Sequence, residues 1–479
     1  MNYVLFYPDE LRAESLACYG HHVVKTPNMD ALAAEGTLFE QNYTPHPVCA
    51  ASRCSLVTGW YPHIRGHRSL WYMVDEREPN FIRGLRRAGY TTGLFTKNHV
   101  FTDEALKESF DVIDHTNPYR TVLDKPAPKA GTKPNGTEDR HPFLMMPDPS
   151  PDEKMDEIGD VRSVNNGIEF IRRQARDGKP FFAFFSLFYP HPPYTAPESY
   201  YNMYAPDNLP MRGLDWMHNK PSLYEAMREF KLADQQDPEI YKKMQAIYLG
   251  MVSFTDMLFG RVVEALKQAG VYDDTVIIVC SDHGDYAGEA QLVEKWPSGM
   301  DDMLTRVPLI IRIPGGAKGH RVTTPVSSMD LFPTVFDLAG IPIEHDQFGR
   351  SLKAQLEGAP GDAERVVYCE GGYDPREPHS FEGWPGRARA GMYQYLAKRD
   401  QQQKRPETVC RTVMRRDARY KLNIRTNGEN ELYDMQKDPR EYDNLYNDPA
   451  YADLIAQLKD QLLTWCIAEA DVVDRKGHD

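Results

Sequence analysis

The sequence predicts an α/β fold: a large, mixed, mostly parallel sheet flanked by helices, followed by a smaller α+β unit. Three observations carry this reading. Apolar strand-like runs alternate with amphipathic helix-like stretches over most of the chain, the pattern of a parallel sheet covered on its faces. Four of the apolar runs end in polar residues able to do chemistry. After Gly349-Arg350-Ser351-Leu352 the pattern changes to short strand-like runs separated by turns. The expected division is an α/β domain over residues 1–355 and a smaller α+β domain over residues 356–479.

Taken in order, the apolar run at residues 3–7 ends at Asp9-Glu10, and the run at 91–96 ends at Lys97-Asn98-His99. The run at 181–188 ends at Pro190-His191-Pro192-Pro193, and the run at 275–280 at Ser281-Asp282-His283-Gly284. In open parallel sheets ligands bind beyond the carboxyl ends of the strands. Acids, histidines and a lysine at four such ends therefore read as one convergent site. Residues 124–153, rich in Pro, Lys and Gly, read as a long surface excursion, and residues 199–237 as a second polar insertion. Long loops near strand ends often shape substrate pockets. In the C-terminal part, residues 365–369, 392–396, 412–415 and 420–425 read as short strands. The stretch from Asp448 onward, with Leu454, Leu458, Leu462 and Trp465, reads as an amphipathic helix.

A chain of 479 residues, 41% hydrophobic and 26% charged, is globular and too long for one small core. No apolar run approaches the roughly 18 residues of a membrane span. The first residues read as a core strand, without the basic segment and cleavage site of a signal peptide, so the expected location is cytoplasmic. Seven scattered cysteines with no CxxC spacing argue against a disulfide framework and against structural zinc. The net charge of −14 disfavours nucleic acid and anionic membranes as partners. An anionic substrate would have to be drawn by a local basic pocket.

Cys49 stands out. A helix beginning near Ala50 would place Cys49 and Arg53 one turn apart on one face. A nucleophile at a helix N-terminus meets free N–H groups and the positive end of the dipole. Arg53 adds a planar donor fork suited to a tetrahedral oxyanion, and Gly59 would close the helix. Separately, the acidic ends Asp9-Glu10 and Asp282-His283 together would offer the carboxylates that hard cations such as Ca²⁺ prefer, with an imidazole beside them.

The run Pro47-Val48-Cys49-Ala50-Ala51-Ser52-Arg53-Cys54-Ser55-Leu56-Val57-Thr58-Gly59 resembles the signature of the type I, formylglycine-dependent sulfatases of the alkaline phosphatase superfamily. The likeness extends to Cys18-Tyr19-Gly20, Thr26-Pro27-Asn28, Ser281-Asp282-His283-Gly284-Asp285, Lys295, Thr305-Arg306-Val307-Pro308, Asp330-Leu331-Phe332-Pro333-Thr334 and Glu431-Leu432-Tyr433-Asp434. It implies an alkaline-phosphatase-like fold and hydrolysis of a sulfate ester or sulfamate. It implies that Cys49 is oxidised to formylglycine, whose hydrated aldehyde is the nucleophile. Asp9, Glu10, Asp282 and His283 would bind one divalent metal, usually Ca²⁺, with Mg²⁺ or Mn²⁺ as alternatives. Arg53, Lys97 and Lys295 would surround the sulfate, His99 would assist turnover, and His191 would sit near the leaving oxygen.

Three departures accompany the likeness. Ala51 stands where Pro is usual, which resembles sequences matured by an anaerobic radical maturase. Glu10 stands where Asp or Gln is usual, and Thr96-Lys97-Asn98-His99 where Gly-Lys-Trp-His is common. The implied substrate is a small sulfated carbohydrate, derived from a glycosaminoglycan or another glycan. His67, Arg68, Trp296, Arg376 and His379 are the candidates for specificity, since basic and aromatic side chains suit a sugar bearing a carboxylate or further sulfate. The competing readings are a phosphonate or phosphate monoester hydrolase of the same superfamily and a non-catalytic protein that binds sulfated glycans. Retention of Lys97 and His99 favours the sulfatase over the former, and retention of every expected catalytic position favours it over the latter.

Overall fold

The computed structural model describes residues 1–114, 146–374, 376–377 and 393–472. Eight strands form the main sheet: β1 (Asn2–Tyr7), β2 (Thr37–Tyr43), β3 (Thr91–Thr96), β4 (Val112–Asp114), β5 (Phe181–Ser186), β6 (Thr275–Cys280), β7 (Leu309–Arg312) and β8 (His320–Ser327). Their order is β4-β3-β5-β1-β6-β7-β2-β8. Neighbours from β4 to β6 pair in parallel, β7 is antiparallel to both β6 and β2, and β2 is parallel to β8. The sheet is thus mixed and mostly parallel, as expected.

β1 shows why these residues make a central strand. All six are buried, and alternate side chains enter opposite cores. Val4 and Phe6 face a core shared with helices Gly159–Asp177 and Glu239–Gln268. Tyr3, Leu5 and Tyr7 face a second core that includes Leu56, Ile82 and Phe332. A strand covered on both faces reads as a continuous apolar run rather than an alternating one. Helix Glu239–Gln268 is long and apolar enough to cross a membrane by length and composition, contrary to the reading that no run has that length. Of its apolar window, 78% is buried inside the protein, so it is a core helix here.

A second, antiparallel sheet has the order β12-β11-β10-β9, with β9 (Val367–Gly371), β10 (Thr412–Arg416), β11 (Tyr420–Arg425) and β12 (Glu431–Asp434). Helix Ala452–Ala468 packs on it through Ile455 and Leu458 against Leu422 and Leu432, and Trp465 stacks on Tyr368 at 4.3 Å. Residues 393–404 form a helix rather than the expected strand, while Met392 lies outside the described residues. The helix is rich in Gln, Lys and Arg, whose unbranched side chains lose little freedom there. The excursion expected at 124–153 lies mainly outside the described residues. The insertion expected at 199–237 is less polar in place than in sequence: Trp216, Leu223, Tyr224 and Met227 pack with Tyr286, Leu292 and Trp296.

Candidate active site

The four polar strand ends meet because their strands are neighbours. β3, β5, β1 and β6 lie side by side and run in one direction, so their carboxyl ends open on one edge. At that edge the backbone leaves the ordinary range: Glu10 has φ 65° and Thr96 φ 87°. Positive φ is rare for a β-branched residue such as Thr and marks a place where surrounding structure overrides local preference. Gly284 is required by space, because a Cβ there would fall 1.9 Å from the carbonyl oxygen of Met303.

Helix Cys49–Thr58 supplies the fifth component. Val48 is extended, Cys49 opens the helix, and all ten helical residues are buried. Gly59, at φ 72°, closes it by donating its N–H to the Ser55 carbonyl. Ser52 Oγ donates to the Asp282 carbonyl at 2.8 Å, which ties the helix to the end of β6. Arg53, fully buried, reaches three partners: Nε donates to Asp282 Oδ2 at 2.7 Å, one terminal nitrogen to Ser186 Oγ at 2.6 Å and the other to Asp9 Oδ2 at 2.9 Å. Its guanidinium carbon lies 5.0 Å from the centroid of the Tyr7 ring. With one bond from each nitrogen, Arg53 braces two carboxylates at the edge of the sheet.

The ligand atoms of Asp9, Cys49, Asp282 and His283 all lie within 4.8 Å of one another and are buried. Asp9 Oδ1 and His283 Nε2 have no hydrogen-bond partner. His283 Nδ1 donates to the Gly284 carbonyl at 2.8 Å, so Nε2 presents its lone pair. An orphaned buried carboxylate oxygen and a bare imidazole nitrogen, with a second carboxylate beside them, fit a hard divalent cation. Burial opposes ionisation of Asp9, but Lys97 and Arg53 hold its carboxyl well below the usual range.

Glu10 is placed differently from the expected ligand set. Its N–H donates to Asp282 Oδ1 at 3.1 Å, but its carboxylate turns to the Lys295 ammonium and lies 3.3 Å from His191 Nε2. It groups with Asp9 and His191, not with Asp282 and His283. Burial, with Asp285 and Glu294 nearby, pushes its carboxyl well above the usual range despite Lys295. Asp9 is thus common to two adjoining clusters.

The bases gather around these carboxylates. Lys97 contacts Asp9, and Lys295 bridges Glu10 and Glu294. Burial, reinforced by Lys97, holds His99 well below its usual protonation range, and its Nδ1 is buried without a partner. Burial, with Lys295 and Lys97, does the same to His191. His191 Nδ1 donates to the Pro192 carbonyl, which leaves Nε2 unprotonated in the neutral ring.

The specificity candidates are scattered. His67 is buried, bonded to the Tyr72 carbonyl at 2.8 Å and to Glu78 at 3.2 Å. Trp296 is fully buried and donates its indole N–H to the Thr408 carbonyl at 2.8 Å, so it packs the core instead of touching substrate. Arg376 is exposed and paired with Asp374. His379 lies outside the described residues. Arg68 is half-buried near His46 and Arg411. Sequence reasoning missed Ser186, which closes β5 and anchors Arg53. The strand-end rule finds it once the apolar run is stopped at β5 rather than read through to Phe188. Sequence reasoning also missed His46.

The donor set predicts a cation response that needs no turnover. Adding Ca²⁺ to chelator-treated protein at about 100 times its dissociation constant should stabilise the fold by about 2.7 kcal/mol. Asp282→Ala and His283→Ala should lose most of that thermal shift, and Glu10→Gln should lose less. An undiminished shift in an Asp9→Ala, Asp282→Ala double variant would place the cation elsewhere.

The chain is similar to known proteins over almost its whole length. The family model described as sulfatase matches residues 1–341, and one described as N-sulphoglucosamine sulphohydrolase, C-terminal, matches residues 388–467. An arylsulfatase of Clostridium perfringens is 27% identical over 96% of this chain and 93% of its own length. Human iduronate 2-sulfatase is 26% identical over 96% of this chain and 93% of its own. The crystal structure of the phosphonate monoester hydrolase of Agrobacterium radiobacter superposes with a TM-score of 0.74 at 26% identity, covering 98% of this chain and 96% of that one.

Proposed function

The chain belongs to the sulfatase family of the alkaline phosphatase superfamily and is an enzyme of that kind, and on this premise we propose that it removes sulfate from a small carbohydrate with formylglycine generated at Cys49. The observation that carries the proposal is the position of Cys49. It opens a buried helix beside Asp9, Asp282 and His283, with Lys97 on Asp9, Lys295 on the adjoining Glu10, and His99 within the field of Lys97 and Asp9. Burial pushes its thiol up to about 11 against the pull of Lys295, so an unmodified Cys49 would be a protonated, weak nucleophile. An anaerobic radical maturase is the proposed source of the oxidation, on the strength of Ala51.

When bound, a divalent cation held by Asp9, Asp282 and His283 would neutralise oxygen charge at this site, and formylglycine would supply a geminal diol. Ca²⁺ is the proposed ion. The chain's own residues do the remainder. Arg53 holds both carboxylates in place. Lys97 and Lys295 put positive charge where the sulfate oxygens gain it, which matters most in a buried site closed to water. Lys295 is the proton donor for the leaving alcohol. His191, with its proton turned toward Pro192, orients the leaving group as an acceptor. Neutral His99 takes the proton whose loss lets sulfate depart.

The phosphonate hydrolase reading has an observation in its favour, the solved relative of that activity at 26% identity. Lys97 and His99 distinguish the two. A phosphate monoester carries more negative charge than a sulfate ester, so ground-state attraction to lysines favours phosphate and selectivity for sulfate must arise in the transition state. On matured enzyme, matched sulfate, phosphate and phosphonate esters should rank with sulfate first in kcat/KM. His99→Ala should keep a first-turnover burst of alcohol and lose steady-state rate by about 10²-fold or more. Best activity on the phosphonate monoester across that panel would favour the rival.

A further inference from the structure

Near the nucleophile one buried hydrogen-bond donor has no acceptor, and a half-buried guanidinium close to it has no protein partner among the described residues. His46 lies three residues before Cys49 and is 1% exposed. Its Nδ1 accepts the N–H of Val48 at 3.1 Å, so the neutral ring carries its proton on Nε2. That Nε2 is buried and has no partner. Burial, with Arg68 and His283 nearby, pushes the ring's protonation down to about 3, and the ring is a neutral donor at working pH. The loop holding it is braced, since the Pro45 carbonyl accepts the N–H of Glu370 at 2.9 Å.

Arg68 is the second donor. It follows Gly66, whose φ of 78° turns the chain after helix Pro62–Arg65. Its half-buried guanidinium has no ion pair and no side-chain hydrogen bond among the described residues. The acids that act on it are engaged elsewhere: Glu370 with His63, and Glu377 with Arg411 at 2.6 Å. Burial, then Arg411, pushes Arg68 below its ordinary value. Native proteins seldom bury donors without acceptors unless something else supplies them.

We propose that His46 and Arg68 form an anion subsite for a second negatively charged group on the saccharide whose sulfate is hydrolysed at Cys49. The group is a carboxylate or a further sulfate, both of which match the planar guanidinium fork. His46, bonded to the N–H of Val48 next to Cys49, joins the subsite to the reaction centre. In a chain of net charge −14 such attraction has to be local. The inference rests on the carbohydrate sulfatase reading above and specifies its substrate class.

Titration calorimetry with Cys49→Ala protein, which holds substrate without turning it over, separates the possibilities. The probes are two matched pairs: a hexose 2-sulfate against the corresponding hexuronate 2-sulfate, and N-acetylglucosamine 6-sulfate against glucosamine 2-N,6-O-disulfate. In at least one pair the doubly charged member should bind tenfold or more tightly than its partner. Which pair responds tells carboxylate from sulfate. Arg68→Ala and His46→Phe should each collapse that ratio toward one, while His46→Gln, which keeps a donor, should retain part of it. Equal affinities within both pairs, or a charge preference that survives both Arg68→Ala and His46→Phe, overturns the subsite. Turnover of 4-nitrophenyl sulfate by the matured wild-type enzyme is measured alongside. Its failure would count against the chemistry at Cys49 and leave the binding ratios to decide the subsite on their own.

Discussion

Arg53→Ala should cost the fold about 3–5 kcal/mol, the scale on which removing one partner of a buried ion pair is felt, and should cost activity roughly 10³-fold, comparable to losing a preorganised donor. The reason is the number of groups that one side chain satisfies. Its three nitrogens reach Asp282, Ser186 and Asp9 at 2.7, 2.6 and 2.9 Å, and none of these residues is exposed. Without the guanidinium, two buried carboxylates face each other with less counter-charge, and Ser186 loses its donor. Ca²⁺ should recover part of the lost stability, because the cation answers the same two acids. Arg53→Lys keeps the charge but is a point donor rather than a fork, so it should fall between wild type and Ala in both melting temperature and kcat/KM. An Arg53→Ala enzyme within about threefold of wild-type kcat/KM, against the expected loss, would mean that the carboxylates are held by something else.

The central sheet was legible because its strands are covered on both faces. Such strands read as unbroken apolar runs, and the runs at residues 91–96 and 275–280 coincide with β3 and β6. The convergence of four polar ends was legible for the same reason: parallel neighbours put their carboxyl ends on one edge. Where local pattern is weak, tertiary context decides. Residues 393–404 carry no clear apolar period and form a helix instead of a strand. Trp296 reads in sequence as a pocket aromatic next to Lys295, yet Tyr286, Leu304 and Val409 enclose it. Nothing local distinguishes an aromatic that faces a pocket from one a few residues away that faces a core.

Within the site, residue identity was more legible than pairing. Spacing brought Asp9, Glu10, Asp282 and His283 to one edge, but could not say which way each carboxylate turns. That depends on the positive φ at Glu10 and on Lys295, far away in sequence. The division into two clusters sharing Asp9 is a property of side-chain direction. The same holds for Arg53, whose type was apparent but whose partners were not. His46 carried no signal in sequence, since a histidine between prolines reads as a loop residue. Its meaning comes from an N–H that the fold leaves unpaired.

Cys49→Ala should abolish turnover, with a loss on the order of 10⁴- to 10⁶-fold, the range seen when a covalent nucleophile is removed. The fold should survive, because the side chain removed is small and the rest of helix Cys49–Thr58 remains buried and capped by Gly59. Much of the Ca²⁺-dependent thermal shift should survive as well, since Asp9, Asp282 and His283 remain in place. That combination of intact fold, retained cation and absent turnover separates loss of a nucleophile from loss of a site. Cys49→Ser asks a sharper question. A serine hydroxyl can attack sulfur once but has no second hydroxyl to expel the sulfate, so it should release at most one equivalent of alcohol and then stall. The native thiol is a poor substitute for either, because with its pKa near 11 only about one molecule in 10⁴ is thiolate at neutral pH. Wild-type protein produced with an anaerobic maturase should therefore label with a hydrazide at residue 49 in proportion to its activity. A fully active preparation in which mass spectrometry finds Cys49 entirely as thiol would remove formylglycine from the mechanism and leave the metal site and the lysines to account for the rate.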